Sequence, residues 1–267
     1  MLRRLARAPS ALVGLLIVLF WAFMAIFWPW AAPYDPLAAH ALNVGPSRTY
    51  LLGTDQFGRD VLSRVLAGSR EVLTTAPLAT LLGLAGGLVL GLVSGFYGGW
   101  IDEILSRLMD AILAFPVVVL ALLTLAVLGS SKLNVILVIG ITYMPLIGRV
   151  VRAAVLGVRD LDYVAAARLR GDSAALIMLR EILPNASGPI IIEVTVRVAY
   201  AIFTVASLGF LGLGIPPPSP DWGVQVNDAQ NYLSIYPWVI LSPIAAIASL
   251  VIAINLLADG LRRAIGP

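Results

Sequence analysis

The chain has no cysteine among its 267 residues, which excludes disulfides and thiolate metal sites. It has a single histidine, His40, set in a polar stretch where a solvated loop role is expected rather than a metal ligand. Lysine is almost absent too: Lys132 stands alone against seventeen arginines, a bias for which the sequence suggests no function. Charge as a whole is scarce, at 12% of residues. Soluble domains carry about a quarter charged residues, so this chain could not cover a water-exposed surface of its size. No GxxxxGK[ST] loop is present to hold a nucleotide, and no HExxH or GxSxG to catalyse hydrolysis. No catalytic residues and no metal site are expected. The net charge of +3 is spread over loops between apolar runs, without the basic, aromatic-interleaved patch of a nucleic-acid binder.

What fills the sequence instead is apolar residue, 60% of the total. A hydrocarbon core about 30 Å thick needs roughly 20 apolar residues per helix. Six stretches qualify, at 11–30, 72–95, 108–128, 133–152, 190–213 and 238–258. The fold expected is therefore an all-α integral membrane protein with six transmembrane helices. The first stretch follows Arg3, Arg4 and Arg7 as a signal peptide would, but it is too long, and Trp21, Trp28, Pro29 and Trp30 leave no small-residue cleavage site. It reads as a retained span with an aromatic belt at its far end.

With residues 1–10 inside, twelve basic residues fall on inner segments and five on outer ones, and Arg197 lies within a span. That asymmetry predicts cytoplasmic N- and C-termini, the latter at 259–267. The outer segments are then 31–71 and 215–237, and the long inner loop is 156–189. Within the second span Ala79, Gly83, Gly87, Gly91 and Gly95 recur every four residues. This makes a groove of small residues where another helix can approach closely, and helix packing is preferred over a pore-lining role. Pro77, Pro116 and Pro145 predict kinks.

The inner loop, LGVRDLDYVAAARLRGDSAALIMLREILPNASGP, is too patterned for a plain connector. Leu161, Val164, Ala165 and Arg168 fall at helical spacing, and Gly171 supplies a C-terminal stop. Asp172 or Ser173 is placed to cap a second short helix containing Leu176, Ile177, Leu179 and Ile182, which Pro184 should end. The small residues Ala165, Ala166 and Ala167 would let a partner surface come close. The alternative is an amphipathic helix resting on lipid headgroups. Glu193 and Arg197, four apart on the fifth span, either form an intrahelical ion pair or line a translocation path. Asp110 and Asp259, near inner span ends, read as wetted or capping groups.

The spacing Ala166-Ala167, Gly171, Leu183-Pro184 resembles the coupling-loop motif of permeases of ATP-binding-cassette importers. LGTDQFGRDVLSRVLAGSR, GFYGGWIDEILSRLMDAILAFP, FLGLGIPPPSPDWG and NLLADGLRRAI resemble, in order, blocks of the "C"-type permease subunit of the dipeptide, oligopeptide and nickel subfamily. The resemblance extends over nearly the whole chain. It implies a type I importer permease fold, with residues 72–260 as the permease core, in the cytoplasmic membrane of a bacterium or archaeon. It implies a homologous second permease subunit, two cytoplasmic ATPases that bind ATP and Mg, and an extracytoplasmic substrate-binding protein. No cofactor is implied in this chain. The coupling loop would comprise Asp162, Tyr163, Ala165, Ala166, Ala167, Arg168, Gly171, Asp172, Ser173, Leu183 and Pro184. Asp55, Arg59, Asp60, Trp222 and Asp228 would touch the delivery protein or rigidify the mouth. The cargo implied is a di- or oligopeptide, with nickel or a metal chelate as the alternative; an ion-coupled carrier is a further reading. Three departures from the family pattern stand out: Ala165 where Glu is usual, Val205 where many relatives have an acid, and Gly209 where Ser is common.

Overall fold

The computed structural model describes residues 9–265, so Arg3, Arg4 and Arg7 lie outside the described residues. The described chain is nearly all helix, its one β-type pairing being an isolated bridge between Thr54 and Asp60. In chain order the principal helices are α1 (Pro9–Ala31), α2 (Val61–Tyr97), α3 (Gly99–Leu113), α4 (Val117–Leu128), α5 (Lys132–Leu156) and α6 (Asp162–Leu169). An irregular helical arm at residues 174–185 follows, then α7 (Ser187–Phe210), α8 (Trp222–Ala229) and α9 (Pro237–Ile265). Helix is the outcome lipid enforces, because it satisfies every backbone N–H and C=O within the segment.

Five of these helices, α1, α2, α5, α7 and α9, are long and apolar enough to cross a membrane. The stretch 108–128 differs from expectation. It is two helices, α3 and α4, bent by 78° across a short break, and counting that pair as one span makes six. Pro116 stands at the break as the residue preceding α4. Pro77 and Pro145 lie inside α2 and α5, which continue through them without a break, whereas Pro116 stands at the break with the 78° bend. The second helix also starts well before residue 72. Asp60 caps it, its Oδ2 accepting from the Ser63 backbone N–H at 2.8 Å and the Ser63 hydroxyl at 2.6 Å.

The centre of the bundle is the seam between α2 and α5. Gly83, Gly87, Gly91 and Gly95 lie against Tyr143, Ile147, Val151 and Val155, one four-residue ladder meeting another. A Cβ on Gly91 would sit 2.5 Å from the Val151 Cβ and 2.6 Å from the Gly148 carbonyl oxygen. Neither atom is the end of a flexible chain. The glycine groove is thus a packing surface, as the periodicity predicts. Approach this close, repeated over four turns, supplies the van der Waals contact that replaces the hydrophobic effect between helices in lipid.

The first helix is held more loosely. Only Ala11, Gly14 and Trp21 are buried along it. Gly14 lets α9 approach, a Cβ there lying 2.5 Å from the Ala253 carbonyl oxygen, and Trp21 donates to the Ser249 hydroxyl at 2.9 Å. The remaining face, including Leu16, Phe20 and Ile26, is exposed.

Gly91→Val should therefore force α2 and α5 apart, at a cost of about 1–3 kcal/mol or more. Gly157→Ala, where a Cβ meets nothing nearer than 3.5 Å at a helical φ, should be neutral. Thermal midpoints of the two purified variants in one detergent check this; equal midpoints would refute the packing role.

Candidate functional site: an exposed helical lever and a locked mouth

Three sets of candidate residues lie in separate parts of the molecule. The first is the loop between α5 and α7. Leu161 precedes α6, and its carbonyl accepts from the Val164 and Ala165 N–H groups at 2.9 and 3.2 Å. Val164 and Ala167, three apart, are buried, whereas Ala165, Ala166 and Arg168 are exposed. Gly171 ends the helix in the left-handed region (φ 77°). Its N–H bonds the Arg168 carbonyl and the Asp172 N–H bonds the Ala167 carbonyl, the paired arrangement of a Schellman cap. Of the two capping candidates Ser173 does the work, accepting from the Leu176 N–H at 3.4 Å. Asp172 instead accepts from Arg170 at 2.7 Å, and the same guanidinium reaches Glu181 at 3.2 Å, tying the arms together across the turn.

The second arm departs from expectation at Pro184, which does not end it. Helix continues through Leu183–Asn185, and the preceding turn, Ile177–Ile182, is π-helical. Proline has no N–H to donate, and its ring crowds the carbonyl four residues back; a widened turn just before it accommodates both. Ile177 and Ile182 are buried and anchor the arm, while Leu183 packs partly against the core. Tyr163 packs beside the core with its hydroxyl buried and unpartnered. Sequence reading missed Leu169. It is 90% exposed at the end of α6, beside Ala165 and Ala166 and off the buried Val164–Ala167 stripe. That out-of-register leucine is the signal that could have found it. Among the described residues this arm thus presents an exposed apolar, small-residue face at Ala165, Ala166 and Leu169.

The second set is the pair on α7. Arg197 Nε donates to Glu193 Oε1 at 2.5 Å, so the intrahelical ion pair is formed. The guanidinium also lies 5.4 Å from the Tyr200 ring centroid and 5.9 Å from that of Tyr143. The Tyr143 and Thr204 hydroxyls are 3.0 Å apart. Further along α7, Phe203, Ser207 and Phe210 border an apolar cavity of about 600 Å³ shared with Val226, Ile247 and Val251.

The third set is at the opposite end, in the segments before α2 and around α8. Asp55 turns its own loop inward: Oδ1 accepts from the Phe57 and Arg59 N–H groups, and Oδ2 from Arg59 Nε at 2.7 Å. Arg59 reaches Asp228 at 3.4 Å, and Gln56 donates to the Asp228 carbonyl at 3.0 Å. Trp222 is fully buried, its indole N–H donating to the Val65 carbonyl at 2.8 Å and its ring packing edge-on to Trp21 at 4.8 Å. Asp55, Asp60 and Trp222 are therefore interior residues of this end of the bundle and not surface contacts. Only Arg59 and Asp228 keep part of their side chains at the surface. Sequence reading missed Arg64, 2% exposed, which donates to the Pro36 carbonyl, and Gln225, which donates to the Arg64 and Pro220 carbonyls.

It also missed Asp221, whose position just before Trp222-Gly223 is an N-cap signal. Its Oδ1 accepts from the Val224 N–H at 3.0 Å. This residue accounts for Gly209: a Cβ there would lie 2.7 Å from Asp221 Oδ1 and 2.9 Å from the Gly223 Cα. A serine at 209 would drive α7 and α8 apart.

Burial, with Glu71 adding repulsion, pushes the Asp221 carboxyl up to about 6 against hydrogen bonds from Val224 and Gly223 that favour its charge. Between the ordinary value of 3.8 and about 6 the folded chain holds this proton more tightly than the unfolded one. Stability should fall as pH rises through that window and level off above it. Asp221→Asn keeps the capping oxygen and should flatten this part of a thermal-midpoint profile, with a higher midpoint than the parent at pH 7. A parent profile that climbs from pH 4 to pH 6 and flattens in the variant would reverse the sign.

The comparisons with known proteins agree with this architecture. Residues 87–267 match the family described as binding-protein-dependent transport system inner membrane component, and residues 1–46 match the N-terminal TM domain of oligopeptide transport permease C. The dipeptide transport system permease protein of Alkalihalophilus pseudofirmus is 38% identical over 267 residues, covering 99% of this chain and 88% of the relative. A di/tripeptide permease of Pseudomonas aeruginosa is 40% identical over 98% of this chain and 89% of its own length. A glutathione permease of Escherichia coli is 41% identical over 99% and 88%. Among solved structures, a methionine ABC transporter in an inward-facing conformation superposes with TM-score 0.60 at 19% identity, over 76% of this chain and 97% of that one. An amino acid ABC transporter gives 0.57 at 19% identity, over 74% and 92%. These two likenesses bear on the fold alone, which is that of the type I ABC importer permeases. With five to six membrane-length helices and relatives of this kind at nearly full length, the chain is a multi-pass inner-membrane protein that belongs to the family of binding-protein-dependent transport system inner membrane components.

Proposed function

We propose that this chain is one half of the transmembrane pathway of an ATP-driven importer that carries di- and oligopeptides into the cell by alternating access. The observation that carries the reading is the exposed face of the α6 lever: Ala165, Ala166 and Leu169 stand free on a capped, internally tied helix–turn–helix. A rigid body of this kind transmits a push, where a flexible connector would absorb it. Peptide cargo is supported by relatives named for dipeptides, di/tripeptides and glutathione; no observation favours nickel.

In this reading both termini and the lever are cytoplasmic, and the segments around α8 face outward, in keeping with the distribution of basic residues. The chain is non-catalytic. Two partner ATPases bind ATP and Mg, and their closure moves the lever and biases a two-state bundle toward its outward-open form. Hydrolysis returns it. A homologous second permease completes the path against the side of α7 on which exposed Tyr200 and half-buried Glu193, Arg197 and Ser207 lie, and a binding protein delivers cargo at the opposite end. The ion pair orients Arg197 and lowers its cost in lipid, so that it is placed to meet a peptide terminus.

The test is uptake of a labelled dipeptide by the reconstituted complex. Expected is uptake that needs hydrolysable ATP and the binding protein; uptake driven by a proton gradient without ATPases would overturn the reading. Leu169→Asp should reduce ATPase association at least tenfold in a pull-down, leaving the thermal midpoint of the permease unchanged. Arg197→Ala should impair uptake in a complex that still assembles. Ala165→Glu adds the carboxylate usual in the family at an exposed position and should tighten coupling of hydrolysis to transport; an unchanged ratio would mean that shape alone suffices for docking.

A further inference from the structure

At the end of the bundle that carries α8, a cavity of about 410 Å³ opens between α1, α2 and the prolines before α8. Its wall includes Trp28, Asp35, Arg70, Glu71, Lys132 and Ser219. Glu71 and Lys132 satisfy each other at 2.9 Å. Among the described residues neither Arg70 nor Asp35, both exposed at the rim, forms an ion pair; Asp35 Oδ1 accepts from the Leu37 N–H at 2.8 Å, so the cavity retains one charge of each sign without an opposite partner. Trp28 Nε1 and Ser219 Oγ, two further polar groups of the wall, have no hydrogen-bond partner. A second, more apolar cavity of about 430 Å³ adjoins it. It runs between α1 and α2 past Ala22, Ala25, Ile26 and Leu73, and the two share Arg70.

We infer that the joined cavities hold a zwitterionic phospholipid of the phosphatidylethanolamine class, its headgroup in the first and an acyl chain in the second. The phosphate accepts from the Arg70 guanidinium, and the ammonium donates to Asp35. Trp28 places the headgroup cavity at the depth of an aromatic belt, where polar lipid atoms lie. The apolar groove descends along two membrane-embedded helices, which a soluble partner could not enter. The lipid would fill the gap that α1, with so little of its own surface buried, leaves beside α2.

Delipidated complete transporter titrated with lipid and read by native mass spectrometry tests this. One phosphatidylethanolamine should bind tightly per copy of this chain, and phosphatidylglycerol, which lacks the ammonium, at least tenfold more weakly. Arg70→Gln should weaken phosphatidylethanolamine binding at least tenfold. Ala25→Phe, which fills the apolar groove and leaves the charges alone, should do likewise, and serves if Arg70→Gln fails to assemble. Equal binding of the two lipids, or unchanged binding in an assembled variant, would overturn the proposal. So would glycerophosphoethanolamine competing as well as the intact lipid, which would assign the cavity to a soluble phosphate ester. Loss of binding-protein affinity in Arg70→Gln with lipid binding unchanged would assign it to a protein contact.

Discussion

The close contact of α2 and α5 organises what surrounds it. Lipid offers helices no hydrophobic reason to associate, so they adhere only where surfaces fit at atomic range. Glycine at 83, 87, 91 and 95 removes the side chains that would keep the axes apart, and Tyr143, Ile147, Val151 and Val155 occupy the space. Because the seam runs the length of α5, it fixes the two ends of the molecule relative to each other. The mouth hangs on the start of α2, through Arg64, Val65 and Gln225. At the other end α5 leads into the lever, and Arg159 after it donates to the Gly95 carbonyl at 2.8 Å.

Charge is handled by the same economy of space. Within the helices charged groups are paired on the spot: Glu193 with Arg197 on one face of α7, and Asp102 with both Nε and Nη2 of Arg152 at 2.5 and 2.6 Å. At the mouth the pairing is with loops, and Asp55, Arg59, Arg64 and Asp228 form one cluster. The exceptions are the informative ones. Among the described residues Asp221 is buried without forming an ion pair, and burial pushes its carboxyl up to about 6, while Arg70 and Asp35 border a cavity without an ion-pair partner.

Periodicity made the glycine seam readable, because a four-residue repeat of small residues lines one helix face and lets another helix approach closely; of packing and pore lining, packing is what the structure shows. The same held for Gly171, where a turn between two helical arms calls for a residue tolerant of positive φ. The Pro184 stop failed because a one-dimensional rule sees the missing N–H and not the π-turn that absorbs it. In the third span Pro116 signalled a kink, but hydropathy counts apolar residues and is blind to the direction of the chain, so the size of the bend, 78°, was not readable. For Asp55, Asp60 and Trp222 the sequence left open a contact with a delivery protein or a bracing role. The two aspartates are buried by bonds within their own segment, to Phe57, Arg59 and Ser63, whereas Trp222 is buried against Val65, more than 150 residues away.

Composition and local pattern alone thus determined that the chain enters lipid, where most of its helices run, that α2 packs through glycine, and that a capped lever follows α5. These depend on hydropathy, spacing and φ, which are properties of neighbouring residues. Only the tertiary structure decided which charges are spent on tying the segment before α2 to α8, why residue 209 must be glycine, and that Leu169 stands exposed while Val164 does not. Each of those depends on what another helix brings within a few ångströms, and no local pattern carries that information.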